Sequence, residues 1–186
     1  MMTVIVRYLV REFKLNVDIE KVLDMIEHHD FDELGMEKDF EPDKMLAERN
    51  KNQLEFDFGL DCSNQTVKAE IGRRKIIQLQ NRHGGRIMGN WTEYNGRTSL
   101  ESRLVKAVDK IESTIHKVSC GVRNMDAKDF TATSPNEYVA DIPEIAPFWR
   151  AVQSHVKAEY IKAGTEWKEV YDYDNFLRSQ SVRTAE

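Results

Sequence analysis

Cysteine is nearly missing from this sequence. Only Cys62 and Cys120 occur among 186 residues, too few for a disulfide framework and without zinc-ribbon spacing. A reduced, intracellular and cytoplasmic setting is the simplest expectation. No apolar run approaches the roughly 18 residues that a membrane span needs, so no membrane partner is expected. Val4, Ile5, Val6, Leu9 and Val10 open the chain, but Arg7, Arg11 and Glu12 interrupt them. With no small-residue cleavage site, a signal peptide is not expected either. An excess of basic charge is also lacking. The formal net charge is −5, which speaks against long nucleic acids, whose binding usually demands a broad basic patch. A small phosphorylated ligand needs only a few local cations and stays open. There is no internal repeat and no low-complexity tract.

What the chain does contain is helical periodicity. The length fits one domain, or one domain with a helical appendage, and 40% hydrophobic residues can build its core. Ile5, Tyr8, Leu9 and Phe13 recur at helical spacing, so the chain opens inside an amphipathic helix with no cap ahead of it. Asn16-Val17-Asp18 offers a cap for the next helix, whose buried side is Val22, Leu23, Met25 and Ile26 and whose end carries Glu27-His28-His29-Asp30. Residues 35–66 read as loops with a short helix around 43–48, and Leu54, Phe56, Phe58 and Leu60 alternate as in a strand. Helical character returns over 67–81. Gly84-Gly85 and Asn95-Gly96 are breaks flanking a short segment with Trp91 and Tyr94.

The clearest helix follows. Thr98 and Glu101 are spaced as a capping box. Leu100, Leu104, Val108, Ile111, Ile115 and Val118 then form an apolar stripe about five turns long, with Gly121 as its stop. A linker rich in Asp, Thr, Ser and Pro is expected over 126–147, then helices over 148–162 and 165–178.

Chemistry concentrates in His29-Asp30 and in Asp109, which borders the apolar stripe in the row Val105, Asp109, Glu112, His116. A carboxylate there is expensive to bury alone. It calls for a metal ion, or for a salt bridge to Lys106, Lys110 or an arginine. Glu33 lies four residues after His29 and three after Asp30, so a continuing helix would put all three on one side. A histidine with several carboxylates suits a divalent metal beside a general acid or base. His28 is better placed for a supporting role than for ligation, because adjacent helix residues point about 100° apart. His116 lies about 10 Å beyond Asp109 along the helix axis, too far to share one ion. Arg73 and Arg74 are able to fork onto a phosphate or to sit as solvated surface. Trp91 and Tyr94 can stack on a base or pack in the core.

Two stretches resemble a known family. His29-Asp30-Phe31-Asp32-Glu33 is similar to the central His-Asp-x-x-Glu of the 5′-deoxynucleotidase branch of the HD superfamily of metal-dependent phosphohydrolases. Trp91-Thr92-Glu93-Tyr94 and the run from Glu101 to Glu112 resemble that branch's Trp-x-Glu-Tyr and Glu-x-x-x-Val-Lys-x-x-Asp-x-x-Glu signature. The resemblance covers about residues 1–120 and implies an all-α HD-domain helical bundle. Its core would span 1–121, with 122–186 as linker and C-terminal helices packed on the same domain.

It further implies that His29, Asp30 and Asp109 are ligands of a divalent metal ion (Mn, Co, Mg, Zn or Fe), with Glu33 orienting or deprotonating the attacking water. Asp39 matches a second acid near the leaving oxygen, one residue off in spacing. Arg73, Arg74 and Trp91 are the candidates for substrate contact. The family's first histidine, in a Glu-His-Ser type motif, would fall ahead of Met1, and its earlier Arg-Trp segment is also missing. The expectation is a late start or a shortened protein in which water fills the vacant ligand place. The implied activity is 5′-phosphate removal from (deoxy)nucleoside monophosphates. The alternatives are a dNTP triphosphohydrolase on the same scaffold and a degenerate module that binds nucleotide or protein without turnover. The expected partner is a small nucleotide, and a homodimer stays open.

Overall fold

The computed structural model describes residues 1–30, 84–125 and 127–183. Among them are seven α-helices and no strand, as the periodicity requires. They are α1 (Met2–Glu12), α2 (Ile19–His28), α3 (Gly84–Gly96), α4 (Leu100–Ser119), α5 (Lys128–Ala140), α6 (Ala146–Lys162) and α7 (Tyr173–Arg183). The helix expected at 43–48, the alternating stretch 54–60 and the helical pattern over 67–81 lie outside the described residues. So do Glu33, Asp39, Arg73 and Arg74.

The bundle is organised around α4, which contacts α1, α2, α3, α5 and α6. Leu104, Val105, Ala107, Val108 and Ile111 are all completely buried. The apolar surface is therefore wider than the single stripe read from the sequence, because neighbours cover more than one side of the helix. Met2, Ile5, Val6 and Leu9 of α1, Val22 and Met25 of α2, and Trp149 of α6 join them in one core. A smaller cluster of Val118, Val122, Ala132, Val156, Tyr160 and Tyr171 continues it toward the C-terminal helices.

Hydrogen bonds at helix starts set the arrangement. Asp18 caps α2 as expected, accepting from the amides of Glu20 at 3.1 Å and Lys21 at 3.2 Å. The α4 capping box is not the expected Thr98–Glu101 pair. Ser99 caps the helix by accepting from the Ser102 amide at 3.1 Å, while Ser102 Oγ accepts from the Ser99 amide at 3.0 Å. A serine hydroxyl closes the box as a carboxylate would, and Glu101 is released to accept from the Asp18 amide at 3.0 Å. That bond joins the start of α2 to the start of α4. Farther along, His29 meets Asp109, so the two helices run in the same direction. By contrast α3 runs against α2, since Lys21 pairs with Glu93 and Asp24 with Asn90 and Arg86.

The expected linker at 126–147 is largely helix. The chain forms α5 across Lys128–Ala140 with Pro135 inside it. Proline removes the amide that would bond to the carbonyl four residues back, here Thr131. Thr114 of α4, itself buried, donates its hydroxyl to that carbonyl at 3.1 Å. A tertiary bond replaces the helical one. The helix expected at 165–178 is also displaced: a 3-10 turn at Glu169–Tyr171 precedes α7. Its backbone is held by Asn136 and Gln153, which donate to the Tyr171 carbonyl at 3.1 and 2.7 Å, and by the Tyr173 amide, which donates to Gln153 at 2.8 Å. Gly121, with φ of 105°, ends α4 where expected, in a conformation that suits glycine.

Thr114→Val should therefore destabilise the protein by about 1–3 kcal/mol, the usual cost of stranding a buried polar group. In a Pro135→Ala background, where residue 135 regains its amide, the same change should cost less. Urea unfolding of the four proteins tests this, and an equal cost in both backgrounds would refute it.

Candidate functional site

His29 stands one residue past the end of α2, where the last carbonyls of the helix lack intrahelical partners. Its Nδ1 lies 2.7 Å from the Ile26 carbonyl. A carbonyl only accepts, so Nδ1 carries the proton and Nε2 is the nitrogen turned toward the carboxylates. Nε2 lies 3.0 Å from Asp30 Oδ2 and 4.0 Å from Asp109 Oδ1. The structure thus brings together three residues that the sequence separates by about 80 positions, and all three are those expected to cooperate.

Burial pulls the His29 pKa down, but the hydrogen bond and charge of Asp30, the Ile26 carbonyl and Asp109 outweigh it and hold it above the ordinary 6.5. The negative end of α2 also favours a cation at this place. Asp109 is mostly buried, with 18% of its side chain exposed. Burial alone would raise its pKa, yet Lys110, Lys106 and His29 hold it below the usual carboxylate range. Lys110 Nζ sits 2.9 Å from Asp109 Oδ2, and its pKa is raised by Asp109 and Asp30 against burial. Of the salt bridges considered for Asp109, the one to Lys110 forms.

Tyr94 completes the cluster. Its ring is 3% exposed and meets the His29 ring edge-on, with centroids 5.8 Å apart at 79°. Its hydroxyl donates to Asp109 Oδ2 at 3.3 Å and accepts from Lys106 Nζ at 3.0 Å. From sequence, Lys106 and Lys110 are candidate salt-bridge partners of Asp109, whereas Tyr94 is read only as a base-stacking or core residue. Lys106, Asp109 and Lys110 do lie on one helical face by spacing, and that row was the available signal.

Other expected residues fall elsewhere. His28 Nδ1 contacts the Asp24 carbonyl at 2.6 Å. His116 Nε2 lies 3.8 Å from Cys120 Sγ, away from Asp109. Trp91 is buried with Ile87, as in the core-packing alternative, and its indole nitrogen has no partner among the described residues.

One imidazole nitrogen and two carboxylates are donors that suit a divalent ion. Among the described residues, however, no three His, Cys, Asp or Glu side chains form a ready metal cage. His29 is paired with Asp30 and Asp109 with Lys110, so the cluster is closed by its own cations. Ligation by His29 requires that Nε2 be unprotonated and leave its contact with Asp30. The residues fit a metal in kind, with a proton on Nε2 as its competitor.

The helical bundle thus sets the His29-Asp30 pair at the end of α2 beside Asp109 of α4. The sequence profile described as HD domain matches residues 1–146, and the chain belongs to the HD-domain family. HD domains are in general metal-dependent phosphohydrolases. Comparison with curated proteins and with solved structures returns no match. Among the described residues, no helix is long and apolar enough to cross a membrane.

The pairing makes a stability prediction for the metal-free protein. Removing one partner of a buried ion pair costs about 3–5 kcal/mol, and partial exposure lowers the expectation to about 1–3 kcal/mol. Asp109→Asn should show this loss in chemical unfolding with chelator present. Adding Lys110→Met should restore most of it, because no buried charge is then left alone. If the double variant is as unstable as the single one, the Lys110 pairing is not what holds Asp109.

Proposed function

We propose that this HD-domain chain hydrolyses phosphate esters of nucleotides, removing the 5′-phosphate from (deoxy)nucleoside monophosphates. The approach of Asp30 and Asp109 to Nε2 of His29, at 3.0 and 4.0 Å, is the observation that supports this most. Nε2 of His29 and the carboxylates of Asp30 and Asp109 would hold the divalent ion. When bound, such an ion polarises a phosphoryl oxygen and lowers the pKa of water.

Glu33, assigned by resemblance, orients the attacking water and accepts its proton as the new P–O bond forms and the P–O5′ bond breaks. Asp39 is assigned the proton delivered to the leaving 5′ oxygen. Arg73 and Arg74 are assigned to the substrate phosphate; Trp91, the candidate for the base, would have to leave its packed place against Ile87 to reach it. Burial opposes the charged form of Asp109, and Lys110, Lys106 and His29 favour it without metal.

A triphosphohydrolase on the same scaffold and a non-catalytic nucleotide binder are distinguished from this reading by phosphate and triphosphate release. The assay runs over dNMPs and dNTPs with Mn²⁺, Co²⁺ and Mg²⁺. Orthophosphate from dNMPs is the expected result. Triphosphate from dNTPs moves the protein to the second reading, and nucleotide binding without release moves it to the third. Given an active wild type, Glu33→Gln should lower the rate by about 10²- to 10⁴-fold with metal content unchanged. Glutamine keeps the shape but loses the base. Retention of more than about a tenth of the rate would remove Glu33 from the acid–base role.

A further inference from the structure

We infer that Tyr94 is a positioning residue that aims Asp109, with Lys106 setting the direction of its hydroxyl. This rests on the reading of His29, Asp30 and Asp109 as ligands. A phenol has one proton to donate and accepts through its lone pairs. Lys106 Nζ approaches the Tyr94 oxygen at 3.0 Å and lies 4.2 Å from the ring centroid. An ammonium can only donate, so the phenol proton is left for an acceptor, and Tyr94 donates it to Asp109 Oδ2 at 3.3 Å.

Oδ2 also receives Lys110 at 2.9 Å. Two donors therefore engage one oxygen of the carboxylate and turn the other, Oδ1, toward Nε2 of His29 at 4.0 Å. The same tyrosine supports the imidazole through the edge-on ring contact. One buried side chain from α3 thus orients a group at the end of α2 and another in the middle of α4. Outer partners of this kind typically matter about 10- to 100-fold in metal affinity, because they fix the ligand's orientation in advance.

The test is calorimetric titration of Mn²⁺ and Co²⁺ into the full chain, with the visible spectrum of the Co²⁺ form as a second readout. Tyr94→Phe keeps the ring and its packing but loses the hydroxyl. It should bind either ion about 10- to 100-fold more weakly than wild type, with a changed Co²⁺ spectrum and a native circular dichroism spectrum. Lys106→Met should weaken binding in the same direction. Combined with Tyr94→Phe it should add little, since the lysine acts through the phenol.

Tyr94→Phe binding within about twofold of wild type, while Asp109→Asn abolishes binding, overturns the inference and leaves the ligand reading standing. Asp109→Asn binding as wild type does, or a wild type that binds neither ion, overturns the ligand reading and this inference with it. Should Tyr94→Phe fail to fold, Lys106→Met decides alone: unchanged affinity and spectrum overturn the inference.

Discussion

Asp109 is a largely buried carboxylate on the flank of α4, the helix around which the described helices pack, and a charge there must be balanced where it stands. Leaving it uncompensated would be expensive in the low-dielectric interior. The balance is drawn from three helices. Lys110 comes from α4, Tyr94 from α3 and His29 from the end of α2. The cluster assembles only when all three helices are in place, so site formation and core formation are a single event.

The scaffold fixes those helices by polar bonds at their starts and apolar contact along their lengths. Glu101 on the Asp18 amide and Lys21 on Glu93 set the register of α2 against α4 and α3. That register carries His29 to the level of Asp109. The far half of α4 is held by α5, through Thr114 on the Thr131 carbonyl. Behind it, Trp149 and Gln153 of α6 both donate to Asn136 Oδ1, at 2.7 and 3.4 Å, inside the bundle. These buried polar groups are satisfied in pairs, and each pair ties one helix to another. Buried networks of this kind make one arrangement of the chain cheaper than its alternatives.

The electrostatics of the cluster couple its protonation to any cation that it would hold. Two carboxylates face an imidazole whose charged form burial disfavours and their proximity favours, with a pKa raised on balance. A proton on Nε2 occupies the direction in which that nitrogen would offer its lone pair to a metal ion. Occupancy by proton and occupancy by metal are thus alternative ways of neutralising one anionic pair. The neighbouring lysine already takes one oxygen of Asp109, which leaves the other facing inward.

Much of this was readable in the sequence because it depends on neighbours along the chain. The period of Leu104, Val108, Ile111 and Val118 marks α4, Asp18 marks the start of α2, and Gly121 marks the end of α4. The place of Asp109 at the edge of the stripe already required a partner. Where the reading went astray, the deciding contact was distant. Pro135 and its polar surroundings argue locally for a linker, yet Thr114, on another helix and 17 residues from Thr131, supplies the donor that the Thr131 carbonyl lacks. Thr98 and Ser99 both offer a hydroxyl for capping, and the bond between Asp18 and Glu101 selects the later start. Helix periodicity, caps and the charge in need of balance belong to the sequence, since they arise from spacing within a few residues. Which lysine balances Asp109, and that Tyr94 spans both halves of the site, were decided only by folding, since those contacts exist once α2, α3 and α4 are packed together.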